Sequence, residues 1–415
     1  MASTKPIRLP KAVVAKAYKL VKSNAGAAGV DQQTLQEFDQ KLEKNLYKIW
    51  NRLSSGSYFP PSVKQVGIPK KSGGIRYLGI PTVSDRIAQM SIKLLVEPLW
   101  EPLFHVDSYG YRPNKSALQA VEVTRKRCWQ FDWLVEFDIK GAFDNIDHEL
   151  LLKAVRKHTP ERWQVMYIER WLKAPTEMAD GEVVGRTCGT PQGGVISPLL
   201  MNLFMHYTFD CWMVRGHADL PFARYADDAV VHCRTREEAE AMMTEIASRL
   251  EVCGLQMHPE KSRVVYCKDG SRRGDYEHTQ FTFLGYTYCA RVAVRKDGST
   301  FTGFLPAVSK AAVLAMRSRI RSWRLHRWTS VSLGHLLGVH RRVLSGWLNY
   351  YGRFYRSALS KVFNYYYDRL QSWVRRKYKR FRGRIVASQQ WLARVRAAYP
   401  HLFVGGDSFA ISGFR

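Results

Sequence analysis

Acidic residues, paired cysteines and long apolar runs are all scarce in this 415-residue chain, which has 36 Asp and Glu against 64 Lys and Arg. Its seven cysteines are widely spaced and include no Cys-x-x-Cys pair. They therefore argue against a disulfide framework and a structural zinc site, and fit reduced thiols. No apolar run approaches the roughly 18 residues of a membrane span, and the first ten residues lack the apolar segment of a secretory signal. We expect a cytoplasmic protein without a membrane anchor.

The chain has the composition of a folded protein with a polyanionic partner. Hydrophobic residues make up 46% and charged residues 24%, which excludes disorder as the main state. The net charge is +28, and residues 301–415 account for +20 of it, with 22 basic and two acidic residues, whereas residues 1–300 carry +8. A basic segment this rich in Trp, Tyr and Leu indicates a folded surface for nucleic acid. An anionic membrane surface is the alternative.

The pattern of apolar residues divides the chain into a mixed body and a helical module. Residues 63–80 predict two strands joined by a basic turn, and residues 133–137 predict a short strand that ends at Asp138. Asp147 predicts a helix start, and Ser197 is the predicted N-cap of another helix. Helical spacing dominates after residue 309, and glycine and proline cluster at 298–306. We predict a body at 1–300, with an N-terminal extension to about residue 60, a helical module at 301–385 and a short tail at 386–415.

Two acidic positions at strand ends suggest a metal site. Asp227 and Asp228 lie between two apolar runs, and adjacent carboxylates near a core are costly unless a cation neutralises them. An ordinary hairpin turn is the alternative for this pair, and an N-cap or ion pair is the alternative for Asp138. If the two strand ends were neighbours in one sheet, the carboxylates would form a site for two divalent ions about 4 Å apart. Mg²⁺ prefers such oxygen ligands together with substrate phosphates.

An ordered set of motifs resembles the group II intron-encoded reverse transcriptases, also called maturases. Three motifs, FDIKGAFD at 137–144, TPQGGVISP at 190–198 and YADD at 225–228, look like successive reverse transcriptase motifs. Segments 76–86 (RYLGIPTVSDR), 108–113 (SYGYRP) and 281–286 (FTFLGY) fit the same family. The resemblance covers nearly the whole chain. It implies an α+β right-hand polymerase, with fingers and palm built on an antiparallel sheet, followed by an all-α thumb and maturase module.

The resemblance also implies roles for particular residues. Asp138, Asp227 and Asp228 match the catalytic carboxylates that bind two Mg²⁺ ions, which Mn²⁺ can replace, and the backbone carbonyl of Ile139 is a further expected metal ligand. The expected nucleotide-binding residues are Lys70 and Arg76 on the basic hairpin, Phe143 as the steric gate against a 2′-hydroxyl, Gln192 beside the incoming nucleotide, and Lys261. A core aromatic is the alternative for Phe143, and a plain loop charge is the alternative for Lys261.

The basic module is the expected nucleic-acid surface, because cations neutralise phosphates and exposed aromatic rings stack on unpaired bases. The expected nucleic-acid-binding residues are Arg341, Arg342, Arg375, Arg376, Lys377, Lys379 and Arg380. The aromatic residues of this module are Trp323, Trp328, Trp347, Tyr350, Tyr351, Tyr365, Tyr366, Tyr367, Trp373 and Tyr378, and those on the apolar stripes are expected to be core. In family terms the module resembles the thumb and maturase region, with GWLNYY at 346–351 as its centre.

The family implies an RNA-directed DNA polymerase that also binds group II intron RNA to assist splicing and retrohoming. Its expected partners are this intron RNA, an RNA template with a DNA primer, dNTPs and a DNA target within a ribonucleoprotein, in the bacterial cytosol near the nucleoid. The cysteine pairs of the family's endonuclease are missing here, so we expect no target cleavage and a primer from elsewhere. A splicing maturase with secondary polymerase activity, and a host-domesticated or defence reverse transcriptase, remain alternatives.

Overall fold

The computed structural model describes residues 5–69, 73–295 and 297–405. These residues form two compact units, Met1–Ala120 with Val135–Val264 and Val121–Leu134 with Val265–Arg415. Helices alternate with short strands in the first unit, whereas a β-hairpin precedes four helices in the second. The predicted α+β class is confirmed. Among the described residues, no helix combines the length and apolar character of a membrane span.

The helices are α1 Lys11–Asn24, α2 Leu35–Asp39, α3 Leu42–Ser54, α4 Val83–Trp100, α5 Ala117–Arg127, α6 His148–His158, α7 Arg162–Leu172, α8 Ser197–Met205, α9 Cys211–Gly216, α10 Arg236–Val252, α11 Lys310–Ser322, α12 Leu333–Tyr351, α13 Ser360–Lys377 and α14 Ile385–Ala398. The strands are β1 Val63–Pro69, β2 Ile75–Ile80, β3 Trp133–Phe137, β4 Thr176–Glu177, β5 Val183–Val184, β6 Phe222–Tyr225, β7 Asp228–Cys233, β8 Arg263–Tyr266, β9 Phe281–Phe283, β10 Tyr286–Val294 and β11 Thr300–Val308.

Three sheets organise these strands. The first has the order β2-β1-β4-β5, the second β6-β7-β3-β8 and the third β11-β10-β9. Strands β1 and β2 pair antiparallel from Lys64↔Ile80 to Pro69↔Ile75, so the two predicted strands are confirmed, whereas residues 70–72 of the predicted basic turn lie outside the described residues. Residues 300–306, part of the predicted domain boundary, belong to strand β11, which pairs antiparallel with β10. The division into fingers, palm, helical module and tail stays a prediction.

The helix starts follow from local capping, with one correction. Asp147 caps α6, because its side chain accepts a hydrogen bond from the amide of Leu150. Ser197 is not the N-cap of α8, since the helix begins at Ser197 and Ile196 is its N-cap. The Ser197 hydroxyl is bonded instead to the Thr190 hydroxyl at 2.8 Å. Just before the helix, the Oε1 of Gln89 on α4 accepts from the amides of Val195 at 2.9 Å and Ile196 at 3.3 Å. α8 therefore starts without a side-chain cap.

A buried carboxylate fixes Gln89 in turn. Asp85, also on α4, accepts hydrogen bonds from the Tyr58 hydroxyl at 2.8 Å, the Trp171 indole at 2.7 Å and the Gln89 amide at 2.9 Å. Burial raises the pKa of Asp85, and the bonds from Trp171, Tyr58 and Gln89 oppose the rise. Because these donors come from different segments, Asp85 links α4 to α7 and, through Gln89, to the turn before α8.

The second unit has an apolar core made by the inner faces of α11 to α14. Leu336 and Leu344 of α12 pack in the same cluster as Phe363 and Leu370 of α13. Trp373 is fully buried there, and its indole N–H donates to the carbonyl of Trp328 at 2.8 Å. A large aromatic ring with its one polar atom satisfied contributes strongly to the stability of a core.

Replacing this tryptophan tests the core. We expect Trp373→Ala to destabilise the protein by about 3–5 kcal/mol, the usual cost of a large cavity. Chemical denaturation followed by circular dichroism measures the change, and Asp368→Ala on the exposed side of the same helix is the matched control. Equal stability of the two variants would contradict the assignment of Trp373 to the core.

Candidate active site

Two neighbouring strands bring the predicted carboxylates to one end of the second sheet. Strands β6 and β7 pair antiparallel, with Tyr225 opposite Asp228, so residues 226 and 227 form a tight turn. Strand β3 lies beside β7 and ends at Phe137, directly before Asp138. The condition set by the sequence, that the two acidic strand ends belong to one sheet, is therefore met.

Burial, followed by mutual repulsion, raises the pKa values of two of these acids. The side chain of Asp228 keeps contact with solvent. Desolvation by the surrounding protein, followed by the charges of Asp227 and Asp138, nevertheless raises its pKa to about 7. Burial, followed by the charge of Asp138, also raises the pKa of Asp227, whereas Arg76 and Lys261 lower it. Both burial and the neighbouring acids thus disfavour the charged forms of Asp227 and Asp228.

Lys261 lies directly against Asp138. Its ammonium nitrogen donates to the Asp138 carboxylate, and this bond, followed by the nearby acidic charges, raises the pKa of Lys261. The backbone fixes the pair, because the His258 amide donates to the Asp138 carbonyl at 2.8 Å. Ile139, which is 3% exposed, forms an isolated bridge with Met257. Lys261 is thus brought to the carboxylates, and the role of the Ile139 carbonyl as a metal ligand stays a prediction.

A chain of hydrogen bonds joins Arg76 to Gln192. The Arg76 Nε donates to the Gln192 Oε1 at 2.7 Å, and the Gln192 amide nitrogen donates to the Asp144 Oδ2 at 3.2 Å. The Gln192 carbonyl also accepts from the Gly79 amide at 2.8 Å. Gly193 permits this approach, since a Cβ there would lie 2.7 Å from the Gly79 oxygen. The structure therefore brings these two predicted nucleotide-binding residues together.

Of the predicted residues Phe143 and Lys70, the structure describes only Phe143. Phe143 is 7% exposed, and its carbonyl accepts from the Thr190 amide at 2.7 Å. This bond joins the FDIKGAFD segment to the segment that carries Gln192, while the ring itself is largely buried, so its role as a gate stays a prediction. Lys70 lies outside the described residues.

The donor atoms of this site determine which cations fit it. Among residues 5–69, 73–295 and 297–405, no three or more His, Cys, Asp or Glu side chains are grouped as metal ligands. The donor chemistry nevertheless fits Mg²⁺, because the three side chains offer only hard oxygen atoms. Burial and the neighbouring acids raise the pKa values of Asp227 and Asp228, and a bound divalent cation would favour their charged forms.

The predicted nucleic-acid residues of the second unit fall into two groups. Exposed side chains are found at Arg341, Arg342, Arg376, Lys379 and Arg380, of which Arg341 also donates to the carbonyl of His401 at 2.6 Å. Lys377 is engaged instead with the protein, since its ammonium donates to the carbonyls of Thr329 at 2.8 Å and Val331 at 2.7 Å. Arg375 is also partly engaged, with the hydroxyl of Ser388 at 3.3 Å.

Two charged residues near the carboxylates were missed by sequence reasoning. Asp144 is the last residue of the FDIKGAFD motif, but nothing in the sequence pattern indicated its hydrogen bond to Gln192. Arg224 immediately precedes the YADD turn and is fully buried in an ion pair with Asp210. A cation inside the apolar run that forms β6 was the available signal, because an arginine is rarely buried without a partner.

Comparison with known proteins places the chain in a family. Residues 68–288 match the family model described as reverse transcriptase (RNA-dependent DNA polymerase), and residues 313–391 match that of the group II intron maturase-specific domain. The chain therefore belongs to the reverse transcriptases, specifically to the group II intron-encoded reverse transcriptases and maturases. It is an RNA-directed DNA polymerase, and the predicted right-hand polymerase fold is confirmed.

Known proteins match this chain over different shares of its length. Protein YkfC of Escherichia coli is 31% identical over 66% of this chain and 79% of its own length. Group II intron-encoded protein LtrA of Lactococcus lactis is 36% identical over 46% of this chain, and the match spans only 32% of LtrA. The putative COX1/OXI3 intron 1 protein of Saccharomyces cerevisiae is 28% identical over 48% of this chain and 23% of its own length.

The proximity of the three carboxylates predicts an effect of their removal on thermal stability. We expect Asp228→Asn to raise the melting temperature in EDTA at pH 8 by about 1–3 °C, because the substitution removes a carboxylate that its acidic neighbours repel. Mg²⁺ should raise the melting temperature of the unmodified protein more than that of the variant. Differential scanning fluorimetry measures both effects.

The matched control is Asp219→Asn, which removes an exposed carboxylate of the same unit. We expect its melting temperature to stay at that of the unmodified protein in both buffers. A loss of stability in Asp228→Asn, or an equal response of all three proteins to Mg²⁺, would contradict the description of the site.

Proposed function

We propose that Asp138, Asp227 and Asp228 hold two Mg²⁺ ions for DNA synthesis on an RNA template. The observation that carries this proposal is the convergence of three mutually repelling carboxylates at neighbouring strand ends of one sheet. When bound, such ions lower the pKa of the primer 3′-hydroxyl and neutralise the developing charge on the triphosphate. The protein contributes fixed carboxylate oxygens, and their positions follow from the β3 end and the β6–β7 turn.

The same proposal assigns the residues that would hold the nucleotide. In this proposal Arg76 donates to the triphosphate, because a guanidinium binds phosphate oxygens through two parallel hydrogen bonds. Gln192 lies against the sugar and base, with its backbone fixed to Gly79 and its amide oriented by Arg76 and Asp144. Phe143 excludes a 2′-hydroxyl, Lys261 compensates charge beside Asp138, and Lys70 supplies a further cation from the hairpin turn.

Removing one carboxylate tests the assignment. We expect Asp227→Ala to reduce dNTP incorporation on a primed RNA template at least 10³-fold, since electrostatic stabilisation is often the largest catalytic contribution. The affinity for the primer–template should change less than twofold. Primer extension and a filter-binding assay measure the two quantities, and Asp219→Ala is the control. Normal incorporation by Asp227→Ala would refute the site.

We further propose that the second unit binds group II intron RNA, assisting splicing and retrohoming. Support comes from the match of residues 313–391 to the maturase-specific domain and from the net charge of +20 over residues 301–415. Exposed cations neutralise phosphates and release counterions, so affinity of this kind falls steeply with salt. The same surface would hold the template–primer duplex during synthesis.

The difference between exposed basic side chains and those bonded to the protein allows a test of the proposed RNA surface. Replacing the exposed Arg376 by Ala should reduce the slope of log affinity against log salt by about 1, the effect of one lost phosphate contact. Lys377→Ala should leave that slope unchanged and lower the free energy of unfolding by about 1–2 kcal/mol, because two carbonyls lose their donor. Salt titrations of RNA binding and chemical denaturation measure the effects.

The neighbouring positions of these residues make each variant the control for the other. The reverse result, an unchanged slope for Arg376→Ala with a reduced slope for Lys377→Ala, would exclude this face of α13 as the phosphate surface.

A further inference from the structure

A fully buried ion pair lies beneath the Asp227–Asp228 turn. Arg224 of β6 and Asp210 are both 0% exposed. The Arg224 Nε and Nη2 donate to the Asp210 Oδ1 and Oδ2, each at 2.7 Å. Asp210 closes a π-helical turn, His206–Asp210, between α8 and α9. Such turns are rare and occur often at functional sites, and a buried ion pair is a weak source of stability by itself.

The rest of the guanidinium extends this pair to the catalytic turn. Arg224 Nη1 donates to the carbonyl of Ala226 at 3.0 Å and to the Asn202 Oδ1 at 3.3 Å, and Nη2 donates to the Ser108 hydroxyl at 2.8 Å. Ala226 immediately precedes Asp227. One cation therefore combines a bidentate bond to Asp210 with a direct bond to the backbone that presents the carboxylates.

That backbone is held in an unfavourable conformation. Ala226 has φ of 58°, the left-handed region that residues with a Cβ seldom adopt. Gly110 packs directly against the turn, because a Cβ at this glycine would lie 2.5 Å from the Ala226 nitrogen. The Gly110 carbonyl in turn accepts from the Asn202 amide at 2.7 Å. Such a conformation persists only where the surroundings determine it.

We propose that Arg224, fixed by Asp210, is a positioning residue that holds Ala226 left-handed and so aims Asp227 and Asp228 at the bound cations. The inference rests on the proposed function, which makes these two aspartates metal ligands. A metal site loses activity when supporting groups leave its ligands misplaced by a fraction of an ångström. Arg224 itself touches neither substrate nor metal, and its effect passes through the Ala226 carbonyl.

The decisive variant is Arg224→Lys. Lysine keeps the positive charge opposite Asp210, but a single ammonium cannot make the two-oxygen bond and also reach the Ala226 carbonyl. We expect kcat for dNTP incorporation to fall about 10–100-fold and the Mg²⁺ concentration for half-maximal activity to rise by a similar factor, the usual effect of removing a group that orients metal ligands. The KM for dNTP and the affinity for primer–template should change less than twofold.

The control is Arg272→Lys. Arg272 also combines an ion pair, with Asp269, with a bond to a backbone carbonyl, that of Phe131 at 2.9 Å. Neither partner belongs to the proposed site. Thermal unfolding of both variants is measured alongside the kinetics. If Arg224→Lys shows the kcat and Mg²⁺ dependence of the unmodified protein, or loses only the activity that an equally destabilised Arg272→Lys loses, the proposal is overturned.

Two further variants separate the possible failures. Asp210→Asn keeps an oxygen acceptor but removes the charge that anchors Arg224, so it should reproduce the raised Mg²⁺ requirement, and it replaces Arg224→Lys if that variant fails to fold. A normal Mg²⁺ requirement in folded Asp210→Asn would then overturn the proposal. Asp227→Ala tests the metal site independently. If Asp227→Ala is active, the proposed function is refuted. If Asp227→Ala is inactive while Arg224→Lys behaves like the unmodified protein, only the positioning role is refuted.

Discussion

Repulsion between carboxylates at one sheet end is the constraint on which the first unit depends. The fold holds Asp138, Asp227 and Asp228 near one another, and burial, followed by the charges of Asp227 and Asp138, raises the pKa of Asp228 to about 7. Such an arrangement costs free energy in the protein alone. The surroundings limit the cost, with the Lys261 ammonium on Asp138 and the Arg76 charge near Asp227. The remaining negative charge is what a divalent cation would neutralise.

Close approach of backbones, rather than side-chain bulk, positions the groups around these acids. Gly110, Gly189 and Gly193 each lie where a Cβ would come within 2.4–2.7 Å of another backbone atom, at Ala226, Asp144 and Gly79 respectively. Gly189 and Gly193 also have positive φ, which other residues adopt at a cost. The segments carrying the carboxylates, Gln192 and the β2 strand can therefore lie directly on one another.

The sequence predicted the acids of this site better than their supports. Asp138 and Asp227 follow or interrupt short apolar runs, a local pattern that a reader of the sequence can detect. The ion pair of Arg224 was not predicted, because its partner, Asp210, lies 14 residues away in a π-helical turn that no 3.6-residue period indicates. The Ser197 cap was wrong because the Ser197 hydroxyl is bonded to that of Thr190, a contact that no local capping pattern indicates. Lys377 shows that a basic run does not reveal which of its ammonium groups contacts the protein's own carbonyls.

The second unit separates the roles of its aromatic and basic residues. Tyr365, Tyr366, Tyr367 and Trp373 are buried in its core, and Trp323, Trp347 and Tyr378 are half-buried against it. The prediction that aromatics on the apolar stripes are core residues is thus confirmed. Several arginines lie over these rings, as Arg317 and Arg369 do over Tyr365, so the core also orients cations at the surface. Contacts between such cations and the phosphates of a nucleic acid would carry little base specificity. Selection of one particular RNA would then depend on the shape of its backbone, which a rigid array of oriented cations can match.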